Sequence, residues 1–95
     1  MITSKQRSYL KSLANKLNPS VQVGKVGLTD AIIDELEIQL EHKELVKISV
    51  LENSPVEVEE IRDEILERTK ANFVQSIGNK LIIYRESKDH KQIEL

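Results

Sequence analysis

Residues 45–51, Leu-Val-Lys-Ile-Ser-Val-Leu, alternate with a period of two. Val46, Ile48 and Val50 share one face of the strand this predicts, while Lys47 and Ser49 share the other. The stretches on either side carry the helical period instead. Ile32, Ile33, Leu36 and Leu40 line one face of a helix running from Asp30 to about His42. Val58, Ile61 and Ile65 line a helix running to about Lys70. A strand set between two amphipathic helices calls for a sheet with helix crossovers, whose connections are right-handed where the strands are parallel. The alternation also predicts one well-covered face and one partly open face.

The remaining elements follow from local signals. Thr3 and Gln6 have the form of a capping box, and Leu10, Leu13, Ala14 and Leu17 line one face of a helix reaching to about Leu17. Asn18-Pro19 ends it. Val21–Val23 reads as a short strand, and Thr29 caps the next helix with Asp30 in its first turn. Ser54 with Glu57 reads as a second capping box, with Pro55 at the first helical position. Residues 72–77 and 80–85 are β-rich and separated by Gly78-Asn79, which predicts a tight hairpin. The expected fold is α/β (α+β), in the order α-β-α-β-α-β-β, with a small four-stranded mixed sheet. Residues 1–85 form one domain, and the polar residues 86–95 are expected to fray.

Many chemistries are excluded at once. With no cysteine in 95 residues, there is no disulfide, thiolate nucleophile or cysteine-ligated metal. The chain contains no GxxxxGK[ST] phosphate loop, no GxGxxG fingerprint and no GxSxG elbow. His42 and His90 lack metal-ligand spacing. No cofactor, metal or catalytic residue is expected. No apolar run approaches the ~18–20 residues that span a bilayer, and no secretory signal is recognisable, so no membrane partner and a cytoplasmic location are expected.

Charge is unevenly distributed. The net charge of −2 argues against a polycation that coats nucleic acid. Yet residues 1–27 carry five bases and no acid, residues 28–67 carry thirteen acids and three bases, and residues 68–95 carry six bases and three acids. The acids of the second and third helices read as a solvated face.

Gly24-Lys25-Val26-Gly27 joins a strand to a helix. Glycines let another backbone come close, the following helix presents free N–H groups, and Lys25 adds a cation. Such a loop can hold a nucleic-acid phosphate without reading a base. Two glycines in a strand–helix turn are in themselves ordinary turn chemistry.

The loop has company. Residues 4–14 (SKQRSYLKSLA), Leu17-Asn18-Pro19 and residues 21–29 (VQVGKVGLT) resemble the start of the YhbY family, also called the CRM domain (chloroplast RNA splicing and ribosome maturation). The likeness continues through residues 44–48 (ELVKI) and 75–85 (QSIGNKLIIYR), covering about residues 3–85. It implies an RNA-binding domain similar in fold to the C-terminal domain of bacterial translation initiation factor three. It further implies association with precursors of the large ribosomal subunit and their ribosomal RNA. The family's GxxG element maps onto Gly24, Lys25, Val26 and Gly27. Val26 departs from the small or polar residue that members often carry there.

Around that loop the candidate RNA contacts are the basic side chains. On the first helix Lys5 and Lys16 fall on one flank of the apolar stripe and Arg7 and Lys11 on the other, with the second flank preferred. Arg85 extends the set. Tyr9, Phe73 and Tyr84 read as core packing ahead of base stacking. Ile38 points away from its helix's apolar stripe, where a protein partner can reach it. A basic ribosomal protein is a further candidate partner for the acidic second and third helices, and the alternative function is a protein-interaction module that docks on a ribosomal or other complex through those helices.

Overall fold

The computed structural model describes residues 2–95. The elements are α1 (Ser4–Ala14), β1 (Val21–Val23), α2 (Asp30–Lys43), β2 (Leu45–Val50), α3 (Val58–Thr69), β3 (Asn72–Ile77) and β4 (Lys80–Tyr84), in the order the sequence predicts. The sheet has strand order β1-β2-β4-β3. β1 and β2 are parallel, β2 and β4 are antiparallel, and β3 and β4 form the hairpin, so the sheet is mixed.

The period-two pattern of β2 splits the core into two layers. Val46, Ile48 and Val50 join Val21, Val23, Leu81 and Ile83 beneath Leu36 and Leu40 of α2 and Ile61 and Ile65 of α3. On the opposite face Leu45, Val74, Ile82 and Tyr84 pack under Leu10 and Ala14 of α1. Leu10 has no exposed surface, and burial of such a side chain stabilises by roughly 2–3 kcal/mol. That second face stays open at one end. There Gln22, Ser49, Lys80 and Ile77 lie in one cross-strand row, and Ile77 is 53% exposed.

Two helix boundaries differ from expectation. α1 stops at Ala14 and not near Leu17. The chain turns there through Lys16 N–H to Leu13 O at 3.2 Å and Leu17 N–H to Ala14 O at 3.0 Å. Lys47 reaches across from β2 and donates to Leu17 O at 3.3 Å and Ala14 O at 3.5 Å, setting a cation where the helix dipole is negative. α3 begins at Val58 and not at Pro55. Ser54 Oγ accepts from Val56 N–H at 3.1 Å and so forms a local turn, while Glu57 is the N-cap and its N–H donates to Glu60 Oε2 at 3.3 Å. Pro55 lies against Gly27, ahead of the helix.

Residues 86–95 form no helix or strand, but they are not loose. Two carboxylates at the end of α2 hold them. Glu44, fully buried, accepts backbone N–H bonds from Ser87 (2.8 Å), Gln92 (2.7 Å) and Ile93 (2.8 Å). Glu41 accepts from Ser87 Oγ (2.9 Å) and from the N–H groups of Asp89 (3.1 Å) and Lys88 (3.2 Å). Fraying follows from polar composition only if the tail's N–H groups have no better acceptor than water, and here they have two carboxylates.

These bonds leave a titration signature. The Ser87 hydroxyl, then the Asp89 and Lys88 N–H groups, hold the Glu41 carboxyl at about 2. Burial pushes the Glu44 carboxyl up, but the N–H groups of Ser87, Gln92 and Ile93 outweigh it and hold it below the usual value. A lowered carboxyl contributes stability above its unfolded pKa and loses that contribution as pH falls through its folded pKa. The amide resonances of Ser87, Lys88 and Asp89 should therefore hold steady down to pH 4.5 and move to unfolded-like positions as pH falls toward about 2. Release of these amides above pH 4.5, read by NMR, would contradict the two-carboxylate clasp.

Candidate nucleic-acid interface

The Gly24–Gly27 turn stands at the end of the sheet where β1 and β2 finish. Its closure is local, with Gly27 N–H donating to Gly24 O at 2.9 Å. Lys25 and Val26 form the exposed tip, Val26 being 76% exposed. Below the tip, Leu51 N–H donates to Val23 O at 2.8 Å and ties the loop to the end of β2. Thr29 Oγ1 accepts from Ile32 N–H at 3.2 Å and fixes the start of α2.

The two glycines do different work. Gly27 has φ 74°, and a Cβ there would lie 3.3 Å from Pro55 Cγ. The fold itself demands glycine at that position. Gly24 has no positive φ, and a Cβ there would meet Leu51 Cδ1 at 3.6 Å, an ordinary contact. Nothing in the fold requires glycine at 24.

Charge divides around the turn. On the α3 side, a cleft between the 51–57 loop and the hairpin is lined by Glu52, Glu57 and Glu59. Asp30, at the start of α2, is paired with Arg68 at 2.8 Å. On the α1 side the open row of the sheet offers Gln22 and Lys80, with Lys80 two strands, roughly 10 Å, from Gln22. A polyanion therefore meets carboxylates on one side of the turn and cations on the other.

The basic residues singled out from the sequence separate accordingly. Lys25 is on the turn. Lys5, Lys11 and Lys16 belong to α1 and the segment after it, and none of them, nor Lys25, joins an ion pair among the described residues. Arg7 is half-buried, and its Nε donates to Phe73 O at 3.1 Å on the edge strand. Tyr9, expected in the core, is 47% exposed, whereas Tyr84 is buried.

Arg85 is not part of this surface. It follows Tyr84, which pairs with Leu45 at the far end of the sheet. Its guanidinium donates to Glu37 Oε2 at 2.8 Å and Thr69 O at 2.7 Å, bracing α2 against the end of α3. β4 runs away from the loop, so the basic residue at its start, Lys80, is the one brought to the turn's end of the sheet. The hairpin was legible in the sequence, but the pairing of β4 with β2, which decides that choice, was not.

The acidic face is also partly committed. Glu37 is held by Arg85 and Glu41 by the C-terminal segment. His42 and His90 come together with ring centroids 4.6 Å apart, though among the described residues no group of three His, Asp or Glu side chains is positioned to hold a metal ion.

Comparison with known proteins gives the family and the overall fold. The family model of the CRS1 / YhbY (CRM) domain matches residues 2–85. The "Probable RNA-binding protein YqeI" of Bacillus subtilis is 41% identical over 95 residues, spanning 100% of this chain and 99% of its own. A Haemophilus influenzae protein named "RNA-binding protein" is 40% identical over 90 residues, spanning 95% of this chain and 91% of its own. The solution structure of SAV1595 from Staphylococcus aureus superposes with a TM-score of 0.82 at 42% identity, covering 100% of this chain and 99% of that one.

Proposed function

The chain belongs to the CRS1 / YhbY (CRM) domain family, and from that premise we propose that it binds RNA without catalysis, gripping backbone phosphates at the Gly24–Gly27 turn. The observation that carries this reading is Gly24. It is a glycine on an exposed turn, beside an unpaired Lys25, at a position where the fold tolerates a side chain. A phosphate backbone drawn close to the main chain is what a methyl group there would obstruct. The RNA-binding names of full-length relatives support the same class of ligand.

The RNA approaches from the α1 side, over Lys25, the open sheet row with Lys80, and the Lys11 flank of α1. The carboxylates of the 51–57 cleft repel it on the other side. Arg7 sets the edge of the surface through its bond to Phe73. With one exposed tyrosine and a single phenylalanine, recognition runs through shape and phosphate geometry more than through stacked bases. The RNA is precursor ribosomal RNA of the large subunit, the protein assists assembly of that subunit, and its place of action is the cytoplasm. Docking of a basic protein on α2 and α3 has less support, because Glu37 and Glu41 already have partners within the chain.

Salt dependence tests the reading. If ~4–6 phosphates are neutralised, the log–log slope of affinity against salt should be about −3 to −4. Lys25→Ala should weaken binding to a large-subunit precursor RNA fragment about fivefold, roughly 1 kcal/mol, and make the slope shallower by about 0.7. Affinity and slope both unchanged by this substitution would remove the turn from the interface.

A further inference from the structure

The flank of α1 that carries Tyr9 faces the C-terminal segment, away from the side on which Arg7 meets the edge strand. Two adjoining clefts run between α1 and that segment and share Tyr9. One, of about 440 Å³, has aliphatic walls formed by Leu13, Leu17, Leu45 and Ile93, with Lys43 at its rim. The other, of about 510 Å³, lies against Leu95 with Lys5 and Glu94 beside it. Tyr9, Leu17 and Leu95 are 47%, 37% and 45% exposed, so the groove leaves three large apolar side chains partly in water. Lys5 and Lys43 join no ion pair among the described residues, and Glu94 is the one acidic side chain lining the two clefts.

We propose that this groove docks an acidic protein segment, which inserts aliphatic side chains between α1 and the C-terminal segment and sets its carboxylates against Lys5 and Lys43. The lining decides the class of partner. Bases bind by stacking on successive aromatic faces, and here there is one aromatic ring among aliphatic walls. Aliphatic anchors fill such a groove, as in other recognition of a segment laid beside a helix. The unpaired lysines select acidic flanks. The site lies on the opposite flank of α1 from the proposed RNA surface, so the protein can hold RNA and a protein partner together. This inference does not depend on the RNA reading.

The test uses the full chain, isotope-labelled for NMR, and three synthetic probe peptides of about 14 residues, or four helical turns. The first carries Leu at helical spacing with Glu elsewhere, the second replaces Glu by Lys, and the third replaces Leu by Ser. The first peptide should bind saturably and shift the resonances of Tyr9, Leu13, Leu17, Leu45 and Ile93. Tyr9→Ala, at an exposed position, should weaken it about tenfold, and Lys43→Glu about threefold, in variants whose unbound spectra remain native. A large-subunit precursor RNA fragment should bind the peptide-saturated protein as tightly as the free protein. The proposal is overturned if the acidic peptide does not bind, or if all three bind alike. It is also overturned if RNA displaces the peptide from these residues, or if the same resonances move with protein concentration alone, which would make a second copy the occupant. Failure of RNA to bind anywhere leaves the peptide result intact and counts only against the RNA reading.

Discussion

Replacing Glu44 by alanine should lower the unfolding free energy by about 3 kcal/mol, a large share of the ~5–15 kcal/mol typical of a domain. The side chain is fully buried and its carboxylate accepts three backbone N–H groups, from Ser87, Gln92 and Ile93, at 2.7–2.8 Å. A hydrogen bond to a charged group is worth ~1.5–3 kcal/mol, and three would sum to more than the loss expected. Two terms reduce it. The burial cost of the carboxylate disappears with the carboxylate, and the released N–H groups can reach water once the segment lifts. Glu44 also sits at φ 67°, so its backbone is strained for any residue other than glycine, and the alanine variant keeps that strain. The melting temperature should fall by about 12–24 °C. Removing residues 86–95 should cost a similar amount. Combining it with Glu44→Ala should cost little more, because both changes delete the same contacts. Additive losses in urea unfolding would show that the carboxylate stabilises something other than this segment. Glu44→Gln keeps the shape but presents an amide to the three donors, and should fall between the parent and the alanine variant.

That clasp was also the feature least legible in the sequence. The elements themselves were legible because their signals are local. Thr3 with Gln6, Thr29 ahead of Asp30, and Gly78-Asn79 between two β-rich runs each act within a few residues, and each is found where expected. The Ser54–Glu57 pair has the same local form, yet Ser54 bonds Val56 instead, and Pro55 lies against Gly27 nearly thirty residues earlier. Glu41 read as a member of a solvated acidic face and Glu44 only as the first residue of the 44–48 stretch, since nothing near either in sequence announces the N–H groups that arrive from residues 87–93. Arg85 read as part of a basic surface until the antiparallel pairing of β4 with β2 carried it to the end opposite the turn. In each case the deciding partner is distant along the chain, and composition reports what a side chain carries without reporting what meets it. The candidate turn escaped this difficulty because the geometry of a GxxG turn is closed within four residues, Gly24 O to Gly27 N–H.

The two glycines of that turn should fail in different ways. Gly27→Ala should cost about 2 kcal/mol of stability. The alanine must adopt φ near 74°, which disfavours any side chain by ~1 kcal/mol or more, and its methyl meets Pro55 Cγ at 3.3 Å, so the proline must give way. Gly24→Ala should leave stability unchanged or raise it by up to ~1 kcal/mol. Its backbone conformation is open to alanine, its methyl makes only ordinary contacts, and the unfolded chain loses freedom. RNA affinity should follow the reverse order. A methyl group at position 24 stands where the proposed phosphate backbone approaches the main chain, and binding should weaken tenfold or more, about 1.4 kcal/mol. At position 27 the change should act on binding only through the fraction of protein that is folded, which is small at temperatures well below melting. Urea unfolding and fluorescence anisotropy on the same preparations separate the two effects. If Gly24→Ala binds RNA as the parent does, no backbone approaches there, and Lys25 would be left to act as an isolated charge on a turn in which only Gly27 has a structural role.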